Sequence, residues 1–311
     1  MAAFNYADYD QLFVLDLKFP YAANTVKEIE VSRRELGGIL FIDRVLSQLN
    51  ITKSKFYPPK SEDSLRTLHK NICKAPLSEH HKLSVFYYLL LDFDVANNHA
   101  ALSDKFALDA SVPAQYQIFM MGLWHMDRRD YASAVERLTH PSLTPEFADA
   151  IIVALTNQAT ESGDYSLPLA YYHTVKPTLK TSQGIECLFD AMARTSVVSA
   201  LEFSRAYPDS AREQLFQRLI AAVLENPSGE NPSERATELV SLPFDDSEEI
   251  WFQDYLACGD GKKLKKSADT LLMRKITTGK YTYVLGNKNV GGRWGAVLEG
   301  FRSGVGDRAT S

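Results

Sequence analysis

The residues best suited to chemistry are Asp245-Asp246-Ser247-Glu248-Glu249. Clustered carboxylates on helices bind magnesium, and through it diphosphate, in all-α prenyl-chain enzymes. Such a site needs a second acidic or Asn/Ser motif across a cavity, because one cluster cannot hold both metal and phosphate. The sequence offers no second motif. The cluster therefore reads as an acidic N-cap for a helix beginning near Ile250-Trp251, where negative charge meets the positive end of the helix dipole. A metal-dependent all-α enzyme using Asp245 and Asp246 is the lesser reading. Asp92-Phe93-Asp94 has the spacing of a metal-binding Asp-x-Asp, but it follows an apolar run and reads as a surface turn where a helix exits to solvent. Gly279-Lys280 lacks the upstream glycine and following Ser/Thr of a phosphate-binding loop and reads as a helix C-cap. No two of the seven histidines stand at i, i+4, and no Gly-x-Ser-x-Gly elbow occurs. No catalytic, cofactor-binding or metal residue is assigned, and no small-molecule substrate is expected.

The elements that carry these residues are helical. One phrase recurs in the middle of the chain: Asp130-Tyr131-x-x-Ala134-Val135, Asp164-Tyr165-x-x-Pro168-Leu169 and Ser196-Val197-x-x-Ala200-Leu201, at steps of 34 and 32 residues. That is the period of paired-helix repeats. The first residue caps a helix start, the second packs on the preceding helix, and the small residue allows close approach. Tyr131, Ala134, Tyr165 and Ala200 are expected in the core. A helical stripe runs from Ser32 through Leu36, Ile39, Leu40, Leu46 and Leu49 and closes at Asn50. Glu62–Cys73 is amphipathic. A helix capped by Ser78 is apolar nearly all round through Leu83, Phe86, Tyr87 and Leu91, so it belongs in the core. Ser111 with Pro113 starts the next, and Thr144-Pro145-Glu146 has the hydroxyl, proline and acid of a helix start. Further helices are predicted over 165–175, 182–192, 197–206, 211–224, 234–240, 248–257 and 268–276, with a polar loop at Asn226–Pro232.

The fold class that follows is all-α: a compact, irregular α-solenoid of stacked helix pairs. Residues 1–30 form an aromatic arm, short and irregular or β-like. Residues 31–279 form the helical body, and residues 280–311 a glycine-rich, poorly ordered tail. The simpler role for the arm is docking on the body. As a partner-binding surface, the arm (Phe4, Tyr6, Tyr9, Phe13) and the tail are the two candidates, because the body needs neither.

Composition excludes several classes. The chain has 311 residues, a net charge of −5, 45% hydrophobic and 23% charged residues. A molecule of this charge has no overall electrostatic basis for DNA binding. The Lys262–Lys266 run is left as an import signal, a nucleic-acid contact or a solvated helix start. Cys73, Cys187 and Cys258 are scattered and odd in number, which suggests a reducing compartment. The apolar runs Val85–Leu91 and Ala148–Leu155 are too short to span a bilayer.

The stretch Met121-Gly122-Leu123-Trp124-His125-Met126-Asp127-Arg128-Arg129-Asp130-Tyr131, followed by Ala134, Leu138 and His140-Pro141-Ser142-Leu143-Thr144-Pro145, resembles the ELYS-like nuclear pore assembly domain family. Leu169-Ala170-Tyr171-Tyr172, Val175-Lys176-Pro177 and Ala200-Leu201-Glu202-Phe203-Ser204-Arg205 are similar to that family's following helices. The likeness is best from about Leu83 to Arg218. It implies a non-catalytic helical nucleoporin of the outer-ring, Y-shaped complex, docking on short-arm subunits built from a β-propeller and an α-solenoid, at the nuclear envelope. Animal members carry an N-terminal β-propeller and a basic tail with AT-hooks. This chain has no strand-rich first half and no Arg-Gly-Arg-Pro tract, so it is similar to the short, fungal-type form, and chromatin binding is not carried over.

Overall fold

A computed structural model describes residues 4–13, 17–51, 56–98, 100–225 and 232–280. Every regular element among them is helical. The chain divides into two compact units, Met1–Gly184 and Ile185–Ser311.

In the first unit, α1 (Tyr9–Leu12) is a single turn capped by Asp8, and α2 (Ala23–Glu35) and α3 (Phe41–Gln48) follow. The stripe expected to run unbroken from Ser32 to Leu49 is interrupted. Gly37 and Gly38 adopt φ of 76° and 90°, a left-handed conformation that ends a helix and suits glycine. Next come α4 (Glu62–Lys74) and α5 (Glu79–Ala96). In α5 every residue from Leu83 to Asp94 is buried. A helix apolar on all sides must be surrounded, and α3, α4, α6 (Leu102–Asp109) and α7 (Ala114–Asp127) pack around it. Then α8 (Tyr131–Leu138) lies on α7, and α9 (Ala148–Ser162) pairs with α10 (Ser166–Val175).

The recurring phrase does structural work. Asp130 caps α8 by accepting from Ser133 N, and Ala134 is fully buried. Gly122 on α7 allows the α7–α8 approach, since a Cβ there would stand 2.7 Å from Leu138 Cγ and Cδ2. Tyr131 departs from expectation: it is half-buried and borders a surface hollow. Thr144-Pro145-Glu146 also differs. It lies in a loop, and α9 begins only at Ala148, after Phe147 at φ 55°.

Asp92 and Asp94 are not a surface turn. Asp94 Oδ1 and Oδ2 accept from Leu102 N and Ser103 N, and Oδ2 also from Ser103 Oγ, capping a helix whose own sequence carries no cap. Asp92, only 2% exposed, accepts from Tyr21 Oη, Tyr57 Oη, Trp124 Nε1 and Arg128 Nη2, each at 2.9 Å. Arg128 also stacks over the Trp124 ring at 4.2 Å. One turn from Trp124, buried Asp127 accepts from Phe41 N (2.6 Å), Ile42 N (2.9 Å) and Tyr88 Oη (2.8 Å). It thereby caps α3 from a different helix. Burial pushes the Asp127 carboxyl up to about 7, against the pull of these three donors.

The second unit holds most of α11 (Ser182–Thr195), then α12 (Val197–Ser204), α13 (Asp209–Glu225), α14 (Pro232–Ser241), α15 (Asp246–Ala257), a 3-10 turn (Asp260–Lys263) and α16 (Ser267–Thr277). Helix α13 is central, buried at Phe216, Leu219, Ile220 and Val223, with α12, α14 and α15 against it. Gly279, at φ 73°, closes α16 as a C-cap. Most of the proposed tail (281–311), residues 226–231 of the polar loop and residues 14–16 of the arm lie outside the described residues.

Two outcomes follow. Gly122→Val is expected to destabilise the chain by about 1–3 kcal/mol, the usual range for overpacking a tight contact, read by urea unfolding. The second concerns pH. In the fold Asp127 keeps its proton to about pH 7, whereas the unfolded chain releases it near pH 4. Between these values the folded state binds more protons, so this group's stabilisation is greatest below about pH 4 and is lost as pH rises towards 7. The slope is at most about 1.4 kcal/mol per pH unit. Asp127→Asn is expected to flatten that slope while lowering stability at every pH, measured by thermal melts from pH 4 to 8.

Candidate functional site

The acidic cluster is held in place by arginines. Asp245 and Glu248 form a reciprocal capping box at the start of α15: Glu248 N donates to Asp245 Oδ1 (2.9 Å) and Asp245 N to Glu248 Oε2 (3.0 Å). The Glu248 side chain is fully buried and meets Arg205 through two hydrogen bonds, 2.9 and 2.7 Å. Arg212 reaches both Asp245 and Glu248. Burial raises the Glu248 pKa, but the two guanidinium groups outweigh it and hold the carboxyl below its ordinary range. Glu249 pairs with Arg274, which also donates to Val240 O and Leu242 O and lies over the Phe244 ring at 4.0 Å. Of the four acids, only Asp246 has no arginine paired with it among the described residues. Among the described residues, no group of three or more His, Cys, Asp or Glu is arranged to hold a metal ion.

His69 and Cys73, one helical turn apart on α4, are a pairing that the sequence reading did not single out. The His69 Nε2 stands 3.7 Å from Cys73 Sγ and 2.9 Å from Tyr6 O, so the ring is engaged with the arm. Lys262, Lys263, Lys265 and Lys266 are all exposed.

The arm candidates pack on the first unit. Phe4 meets Phe106 edge-on at 5.7 Å, and Tyr6 lies 6.1 Å from Phe86. Tyr9 contacts His69 and carries Arg66 over its ring at 3.9 Å, with Arg66 also bridged to Asp10. Phe13 is 4% exposed, between His69 and Phe93.

A concavity that no motif pointed to lies elsewhere in the first unit. It is a groove of about 510 Å³ between the Gly37–Phe41 turn, α9 and residues 178–183. Its floor is a second face of α9, formed by Ala150, Val153, Ala154 and Asn157 at helical spacing. It continues into a hollow of about 400 Å³ beside Tyr131 and Arg129, sharing Leu36, Ala154 and Asn157. Ile39 stands 48% exposed at the rim. Phe147, in a left-handed conformation, stacks on Phe119 at 6.3 Å beside the groove. Arg44 projects from α3 across the Phe41 face at 5.8 Å. Its Nε is buried without a hydrogen-bond partner among the described residues. Asp149, the acid of the groove, spends Oδ1 on Lys180 N, Thr181 N and Thr181 Oγ1 at 2.9, 2.7 and 2.7 Å. Burial works to raise its pKa, but these hydrogen bonds hold it below the usual carboxylate range.

Comparison with known proteins accounts for the signature. The chain is 28% identical over 236 residues to the uncharacterized protein ely5 of Schizosaccharomyces pombe, covering 75% of this chain and 74% of that one. It is 25% identical over 227 residues to Protein ELYS of Homo sapiens, covering 68% of this chain but only 9% of the human protein. A family model described as ELYS, nuclear pore complex assembly, matches residues 39–259. That span reaches beyond the Leu83–Arg218 stretch on both sides and runs from α3 through α15, so the chain belongs to the ELYS family of nuclear pore complex assembly.

Proposed function

We propose that this chain is a structural, non-catalytic nucleoporin. It docks as a helical scaffold on the short arm of the outer-ring Y-shaped subcomplex, at propeller–solenoid subunits, and supports pore assembly and the passage of mRNA and protein. The observation that carries this reading is how the family signature is used. Gly122 lets two helices meet, Trp124 and Arg128 hold Asp92, Asp127 caps α3, and Asp130 caps α8. These residues build a body, and they do so with the side chains best equipped for chemistry. The acidic cluster at Asp245–Glu249 is likewise used for capping and ion pairing. A scaffold needs such a fixed body and an outer face for partners.

The purified chain is expected to co-elute with reconstituted short-arm subunits in size-exclusion chromatography, and a fluorescent fusion to mark the nuclear rim. Absence of any complex with those subunits, together with stable capture by a vesicle-coat or lid assembly, would favour a helical adaptor of another complex and sink the pore reading.

A further inference from the structure

We propose that the groove between the Gly37–Phe41 turn and α9 docks a partner peptide segment that combines an aspartate or glutamate with an aliphatic side chain. The carboxylate pairs with Arg44, and the aliphatic group sits among Ile39, Phe147 and Val153. This deepens the docking role proposed above and rests on it.

Charge complementarity identifies the occupant. A half-buried guanidinium is costly to hold without a partner, and a carboxylate is the group whose geometry matches its fork. Arg44 has neither a hydrogen bond through Nε nor an ion pair among the described residues. The one acid lining the groove, Asp149, directs Oδ1 at three donors of the 180–181 segment. Lys180 adds a second positive charge at the edge, and the first turns of α9 and α11, at Ala148 and Gln183, open on the same space. Helix N-termini contribute partial positive charge there. The lining therefore favours an anion.

The apolar half of the site is specific too. Ile39 follows two glycines that present it at the rim, and 48% of its surface is exposed. Phe147 holds φ at 55°, a conformation that bulky residues rarely adopt. Helix α9 buries Ile151, Ile152 and Leu155 in the body while Ala150 and Val153 face the groove, so the helix carries apolar surface on a second side. An aliphatic side chain next to a carboxylate satisfies both halves at once. An interface anchor of this kind is a desolvated charge pair ringed by apolar contacts.

The test uses the full chain and reconstituted short-arm subunits, with affinity read by biolayer interferometry. Ile39→Asp, on an exposed side chain, and Arg44→Gln and Arg44→Glu are compared with the wild type, and thermal melts check folding. Each variant is expected to weaken binding about tenfold or more, with Arg44→Glu the weakest binder. Ile39→Asp is expected to keep the wild-type melting temperature. A photo-crosslinker, p-benzoylphenylalanine, at position 39 is expected to capture an acidic-aliphatic segment of the partner. Wild-type binding that survives both Ile39→Asp and Arg44→Gln unchanged overturns the groove and leaves the proposed function standing. No binding by the wild type overturns both. A crosslink to residues 281–311, to a second copy, or to a basic partner segment overturns this choice of occupant.

Discussion

The first unit depends on two buried carboxylates. Asp92 and Asp127 sit on neighbouring helices, α5 and α7, and between them take hydrogen bonds from three tyrosines, a tryptophan, an arginine and two backbone amides. A buried carboxylate is tolerated only when its lone pairs are occupied. Because the donors come from residues 21, 41, 42, 57, 88, 124 and 128, satisfying the two acids fixes the places of the arm, α3, α5 and α7 together. The net worth of such a network is modest, since desolvation offsets much of the attraction. Its effect is on uniqueness: any other packing would leave a buried carboxyl without its donors. Burial raises the Tyr21, Tyr57 and Tyr88 hydroxyls well above their usual range, so they remain donors.

The second unit repeats the logic with arginines as the donors. There the buried acid, Glu248, begins α15, and arginines from α12 and α13 come to it. Arg274 on α16 ties Glu249 to the buried carbonyls of Val240 and Leu242 at the end of α14. Helix ends, with their unpaired amides and carbonyls, are where the helices are joined. In each aspartate-rich stretch that resembles a metal site, one acid finishes a helix: Asp94 caps α6 and Asp245 caps α15.

The same economy shapes the surface. Capping α3 with Asp127 sets the wall from which Arg44 projects, and ending α2 at Gly37-Gly38 sets Ile39 at the rim. The groove is thus a consequence of how α2, α3 and α9 are terminated. Family membership places a protein of this construction in nuclear pore assembly.

Much of the body was legible in the sequence. Helices over 62–73, 165–175, 182–192, 197–206 and 248–257 carry their stripes, caps and terminators within a few residues of one another, and such local signals are what helix formation reads. The motif order around Gly122-Leu123-Trp124 was enough to point to the family. Most of the failures come from partners distant along the chain. Helix α6 takes its cap from Asp94, eight residues away across a turn, and α3 takes its cap from Asp127, 86 residues away from Phe41. Asp92 looked like a solvent-facing turn because its donors are up to 71 residues distant. Phe147 reset the start of α9 by adopting a conformation that its residue type disfavours. The sequence by itself determined that this protein is a set of amphipathic helices whose reactive-looking residues sit at their ends. Only the tertiary structure decided which carboxylate finishes which helix, and which cation is left facing an open groove, because those pairings join groups brought together by packing and not by proximity along the chain.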